Sequence, residues 1–400
     1  MTRLLIKSGS AVSLIFLVLA SHPVFSLTKS QSPAGQVKFF NQADSDFDQF
    51  TAHPDSAQQN WMREHYARML VYAPYFDSRL SWFANGLVYV DSYAIYEHSA
   101  LAGEHPEWIL RDAQGQKLYI PWNCQHGRCD QFAGDFSNHE FKQYMINNMR
   151  VLLSKGYRGL WLDDVNMTWR VSDGNGTQVL PADKNTGKAM TLNNWQRYFA
   201  EYMEAVREAF PGAEIAHNAI WHADTMTEEN PYITRQIKAA DYINLERGGS
   251  DAGLVNGGGQ WGFQTFLSYI DYVHKQGADV ILMDYGSTDT DREYGLATWF
   301  LISSGKDLMS SNQLAWTAPT SWWPGYHVNL GQAVGERYEW QGLLRRDFEC
   351  GFVLLNQPNK PTNSVSLGGG YKNLQGDAIK QIDLHEKLAA VLLKTCAQSH

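Results

Sequence analysis

Two stretches of the 400-residue chain end an apolar run in carboxylates. One is Gly156-Tyr-Arg-Gly-Leu-Trp-Leu-Asp-Asp-Val-Asn166, which closes on Asp163 and Asp164; the other is Asp241-Tyr-Ile-Asn-Leu-Glu-Arg-Gly-Gly249, which closes on Glu246. Both read as buried strands, and Gly248 and Gly249 let the chain turn at once after the glutamate. Side chains alternate along a strand, so Trp161 and Asp163 share a face, as do Tyr242, Asn244 and Glu246. Two carboxylates brought to one rim by non-adjacent strands suit glycoside hydrolysis, in which one attacks the anomeric carbon and the other protonates the leaving oxygen. That chemistry needs unequal pKa values and therefore unequal surroundings. Asp163 is accordingly expected as the nucleophile and Glu246 as the proton donor. Asp164 suits a cap on the following loop and, beside Asp163, is also a candidate sugar ligand. Arg247 reads as an ion-pair former.

Further polar groups at strand ends could hydrogen-bond sugar hydroxyls: Asp91, His217, Asn218, Asn244, Asp284 and Tyr285. Each could equally be a satisfied polar cap. Trp122, Trp221, Trp261, Trp316, Trp322 and Trp323 fall in loops after strands, where an exposed indole stacks on a sugar face, and Trp161 lies beneath Asp163. Trp122, Trp161, Trp322 and Trp323 are the candidates for substrate binding, the last two because they sit with Pro319, Pro324 and Gly325 outside any periodic element.

The elements that must position these groups alternate between short apolar runs and amphipathic stretches. Candidate strands are Met69–Ala73, Gly86–Asp91, Gln131–Phe136, Gly159–Asp163, Glu214–Asn218, Tyr242–Glu246, Asp279–Asp284 and Asp307–Ser310. Helical spacing marks His139–Lys155, Asn194–Phe210 and Gly262–Gln276. This βα alternation implies an α/β chain folded as a (β/α)8 TIM barrel, with reactive groups at the C-terminal ends of its strands. After about Tyr338 the pattern becomes strand, turn, strand. A small C-terminal antiparallel β-sandwich over residues 339–400 is expected there, following a barrel over 27–338.

Arg3 and Lys7 ahead of the apolar run Ala11–Ala20 read as a secretory signal ending at Ser26, which implies a secreted or periplasmic protein with no membrane attachment after signal removal. An oxidising compartment suits the four cysteines, with the local pairs Cys124–Cys129 and Cys350–Cys396 favoured over the two other pairings. The net charge of −9 and the absence of long basic runs make nucleic acid an unsuitable partner, and they disfavour a strongly anionic polymer. The 14 Trp suit a carbohydrate groove.

The chain resembles the glycosyl hydrolase-like family 15, which is unrelated to glucoamylases despite the number. The resemblance is carried by His105-Pro-Glu-Trp-Ile-Leu-Arg-Asp112, Asp135-Phe-Ser-Asn-His-Glu140, Gly156 to Val165, Asn244-Leu-Glu-Arg-Gly248 and Arg346-Asp-Phe-Glu-Cys-Gly-Phe-Val-Leu-Leu-Asn356. It implies a barrel plus β-sandwich, an acid at the end of the fourth strand matching Asp163, and action on an extracellular polysaccharide. No cofactor or metal is implied. Two other readings compete: a non-catalytic carbohydrate-binding barrel of an exopolysaccharide system, and a metal-dependent hydrolase or deacetylase using Asp163, Asp164 and His217. The opposite strand parity of His217 and His222 weighs against the second.

Overall fold

A computed structural model describes residues 34–43, 47–71, 80–221, 230–311 and 317–396. Eight parallel strands close into a barrel: β1 (Phe39–Ala43), β2 (Tyr66–Val71), β3 (Gly86–Asp91), β4 (Gly159–Asp163), β5 (Glu214–Asn218), β6 (Tyr242–Leu245), β7 (Asp279–Asp284) and β8 (Leu308–Ser311). Neighbours in the barrel are neighbours in the chain, and β1 pairs with β8 to close it. Alternation splits every strand between two cores. Phe40, Leu70, Leu87, Trp161, Ala216, Ile281 and Leu308 form one buried layer inside the barrel, while the opposite parity packs outward. At Gly159 the β5 backbone lies so close that an added Cβ would sit 1.9 Å from the Glu214 carbonyl oxygen.

The outer layer comprises α1 (Ser56–His65), α2 (His139–Leu153), α3 (Leu192–Ala209), α4 (Pro231–Lys238), α5 (Phe263–Lys275) and α6 (Asp289–Ile302). Their starts follow local chemistry. Asn138 and Thr191 accept backbone N–H bonds as N-caps of α2 and α3, and Thr288 with Asp291 makes a capping box on α6. Phe141, Met145 and Met149 recur every fourth residue on the buried face of α2.

Two expected barrel strands are reassigned. The first barrel strand is Phe39–Ala43, a short run without clear alternation, so the segment expected at Met69–Ala73 is the second strand, Tyr66–Val71; Tyr72 and Ala73 lie outside the described residues. Residues Gln131–Ala133 do form a strand, but it pairs antiparallel with Ala94–Tyr96 in the long β3–β4 connection. Strand propensity shows that a segment pairs, not with what. Asp91 therefore ends the third strand, beside Asp163.

The C-terminal region is antiparallel as expected: β9 (Tyr338–Trp340), β10 (Leu343–Phe348), β11 (Gly351–Leu355), β12 (Asn363–Lys372), β13 (Ala378–Leu384) and β14 (Ala389–Leu393). They hydrogen-bond as one six-stranded sheet in the order β9-β10-β11-β14-β12-β13. One face, with Leu344, Val353, Leu355 and Val391, joins the barrel core; the other, with Leu343, Phe352, Leu354 and Leu392, is covered by Val365 of β12 and Leu384 of β13. The central strands β10, β11 and β14 are thus buried on both faces, while β9, β12 and β13 stay largely exposed or half-buried. Glu293 on α6 accepts the Val391 N–H at 2.8 Å, and the Arg346 guanidinium caps the Phe300 and Ser303 carbonyls at 2.9 Å each. Both cysteine pairs, Cys124–Cys129 and Cys350–Cys396, are bonded. The segment expected as a secretory signal, residues 1–26, lies outside the described residues; among those, no helix is long and apolar enough to cross a membrane.

Candidate active site

The C-terminal ends of β3, β4, β5 and β6 open into a cleft of about 1020 Å³. Asp163 ends β4 on the interior parity. Its Oδ1 accepts the Asp164 backbone N–H and the Asn218 Nδ2, both at 2.8 Å, and its Oδ2 accepts the Tyr89 hydroxyl at 2.6 Å. The first of these bonds depends on an unusual backbone. Asp164 has φ of 56°, a left-handed conformation in which the chain folds its amide back onto the preceding side chain.

Glu246 directly follows β6, and its Oε1 accepts the second hydrogen of the same Asn218 amide at 2.8 Å. One nitrogen donating two 2.8 Å bonds limits the accepting oxygens to about 5.6 Å apart, and the trigonal angle of an amide brings them to about 5 Å. Asn244, buried on the next strand, donates Nδ2 to Asn218 Oδ1 at 2.8 Å, which turns the Asn218 NH₂ group toward the acids. Glu246 reaches solvent at the cleft mouth, and its carboxyl is held inward by the Asn218 amide. Desolvation first, and the Asp163 charge second, raise its pKa above the ordinary glutamate value.

Asp164 sits beside this pair with its carboxylate on the Arg170 guanidinium. Burial and then the Asp163 charge push it up to about 7, against the opposing pull of Arg170. Tyr93 holds Arg170 by donating its hydroxyl to the Arg170 carbonyl at 2.7 Å. Asp91, across Tyr89 from Asp163, is raised mainly by burial. The cleft walls carry indoles: Trp122 is 51% exposed and Trp261 45% exposed, with the buried Trp221 edge-on behind Trp261 at 5.4 Å.

Residues 63–352 match the sequence profile of the hypothetical glycosyl hydrolase family 15. The chain belongs to this family. No curated protein sequence matches it. Solved structures similar in fold include the glycoside hydrolase domain of PelA from Pseudomonas aeruginosa, at 13% identity and a TM-score of 0.41 over 70% of this chain and 95% of that one. The maltogenic alpha-amylase AmyB from Thermotoga neapolitana is 11% identical with a TM-score of 0.48, over 89% of this chain and 98% of that one. The alpha-galactosidase from Lactobacillus brevis is 11% identical with a TM-score of 0.49, over 92% and 56%.

Among the residues expected at the site of this family member, Asp91, Asp163, Asp164, Asn218, Glu246 and Trp122 line the cleft. Several others do not. His217 has the opposite parity to Asn218 and faces α4, where its Nδ1 meets Gln236 Nε2 at 2.8 Å; burial lowers its pKa to about 3, so it is a neutral core histidine. This placement also removes it from any metal set with Asp163 and Asp164. His222 lies outside the described residues, as does Trp316. Asp284 likewise points outward, against Gly295 of α6, and accepts from Ser250 Oγ and the Gly286 N–H at 3.0 Å each. Trp161 is stacked on Tyr89 in the barrel layer beneath Asp163, and Asn244 reaches the site only through Asn218. Trp322 and Trp323 pack against the core, Trp322 at 5.2 Å from Phe39 and Trp323 at 4.9 Å from Tyr326. A loop position does not tell which way an indole points. Tyr89, Tyr96 and Arg170 are site residues that the sequence reading passed over. The parity rule puts Tyr89 on the face of Asp91, two residues before it.

Proposed function

We propose that the protein is an exported glycoside hydrolase that cleaves an extracellular polysaccharide with retention of configuration, Asp163 attacking the anomeric carbon and Glu246 acting as acid and then base. The observation that carries this reading is the single Asn218 amide shared by the two carboxyls. It holds them near the 5–5.5 Å spacing of retaining enzymes and short of the 6.5–9.5 Å that leaves room for an attacking water. The three donors on Asp163 aim it as an acceptor of positive charge developing at the sugar. The raised pKa of Glu246 keeps a proton available for the leaving oxygen. A cleft at the upper end of ordinary ligand pockets, walled by Trp122, Trp261 and Tyr96, suits an oligomeric or polymeric glycan. The N-terminal Arg3, Lys7 and Ala11–Ala20 pattern and the two disulfides support export.

The test begins with a panel of bacterial exopolysaccharides. On a cleaved glycan, Glu246→Gln is expected to lower kcat by about 100- to 10,000-fold, with partial recovery on an activated aryl glycoside whose leaving group needs no proton. Asp163→Asn is expected to lose at least as much on both substrates. Proton NMR of the first product is expected to show the anomer of the substrate. Wild-type turnover in both variants, or binding without new reducing ends on every glycan, overturns the reading.

A further inference from the structure

The Tyr89 hydroxyl lies 2.6 Å from Asp91 Oδ1 and 2.6 Å from Asp163 Oδ2. A phenol has one hydrogen, and both neighbours, if ionised, only accept. Two bonds of this length therefore need a second proton, carried by one of the carboxyls and donated to the phenol oxygen. The surroundings decide which. Asp163 has two N–H donors on its other oxygen, from Asp164 and Asn218, and its anion also feels Arg170. Among the described residues, Asp91 has on its other oxygen only the Tyr96 hydroxyl at 2.5 Å and a long contact from Gln131 at 3.4 Å.

We propose that Asp91 is a positioning residue that stays protonated in the working enzyme and, through Tyr89, holds Asp163 as the only anion of the three. Asp91 Oδ1–H donates to the Tyr89 oxygen, and Tyr89 donates to Asp163 Oδ2. Asp91 Oδ2 accepts from Tyr96 and Gln131, so every hydrogen has an acceptor. The groups facing Asp91 favour this form. Tyr89 and Tyr93 come from β3 and the turn after it, Tyr96 and Gln131 from the antiparallel pair above, Asp163 from the end of β4 and Asp164 directly after it, with Arg170 engaged by Asp164. Burial, more than any neighbour, raises the Asp91 pKa; the Tyr89 and Tyr96 bonds oppose it and the Asp163 charge adds to it. Loss of this proton at alkaline pH would place two anions on either side of one phenol and drive Tyr89 off Asp163.

The inference rests on Asp163 as the reacting carboxylate, and the experiment separates the two. Asp91→Ala is expected to lower kcat by about 10- to 100-fold through misplacement of Asp163. Asp91→Asn, whose amide donates to Tyr89 as the protonated acid does, is expected to recover most of that loss and, on an activated aryl glycoside that needs no proton from Glu246, to move the alkaline limb of the pH profile upward. In infrared difference spectra at neutral pH, wild type minus Asp91→Asn is expected to show a carboxylic-acid carbonyl band. An Asp91→Asn variant no better than Asp91→Ala with an unmoved limb, or the absence of that band, overturns the proposal. Activity retained in Asp163→Asn would defeat the hydrolase reading instead, and the infrared band would still decide where the proton sits.

Discussion

The two ends of one barrel strand treat acids in opposite ways. Glu214 opens β5 and Asn218 closes it, on the same interior parity, with the apolar layer around Ala216 between them. Burial alone would raise Glu214, but Arg68, at 2.5 and 2.6 Å, and Arg158, at 2.8 Å, reverse that and leave its pKa lowered. At the mouth, Asp91, Asp163 and Glu246 meet neutral donors, Tyr89, Tyr96 and Asn218, and the half-buried Arg170 guanidinium is engaged by Asp164. Asp91 and Glu246 are raised there. The floor uses its cations to hold the barrel shut, while the mouth leaves carboxyls close together at a cost in stability. Such a division matches the general separation of stability and function between the two faces of barrels.

The contrast can be broken or sharpened by substitution. The largest effect is expected at the mouth. Asn218→Ala removes the shared donor and should lower kcat/KM by about 100-fold while leaving the melting temperature within a few degrees, measured by steady-state kinetics and calorimetry. At the floor the pattern should invert. Glu214→Gln, which breaks a partly exposed Arg clamp, is expected to cost about 2 kcal/mol in denaturant unfolding with unchanged kcat in the folded protein. Because the native pKa of Glu214 is lowered, its contribution is present above the unfolded value and lost as pH falls through the native one; the variant should show a shallower loss of stability in acid.

Asp284 supplies the smallest and most discriminating case, since it is raised to about 7 by burial yet faces α6 rather than the cleft. The native state there binds a proton the unfolded chain releases, so stability should fall as pH rises from about 4 to about 7. Asp284→Asn should flatten that slope, by on the order of 1 kcal/mol after structural relaxation, with activity unaffected. Loss of activity would show that the outward-facing acid also serves the cleft.

Much of the site is legible in the sequence because strand parity is a strict rule. It places Trp161 under Asp163 and aligns Asn244 with Glu246 without any knowledge of the fold. The same rule, applied to β5 and β7, would have kept Asn218 and set His217 and Asp284 aside, since position at a strand end says nothing of facing. Other features leave no local mark. Arg170 belongs to no regular element, and its partner Asp164 is brought to it by the fold of a loop. The indoles at 322 and 323 are equally plausible as platforms or packing until their neighbours, Phe39 and Tyr326, are known. The strand at Phe39–Ala43 escapes notice because Asn41 and Gln42 interrupt its apolar run, and the buried Asn41 donates its Nδ2 to Thr317 Oγ1, distant in sequence, at 2.9 Å.

Strand order in the C-terminal sheet bears on how the molecule is made. The last strand among the described residues, β14, lies in the middle of the sheet, paired along its length with β11, and supplies Val391 to the surface that covers α6. Synthesis runs from the N-terminus, so the barrel helices emerge and can dock while this cover is missing. A nascent chain stopped before Ala389 would present the apolar face of Leu344, Val353 and Leu355 unsealed. Sealing of the α6 surface therefore waits on β14, and Cys396 then ties that strand back to Cys350.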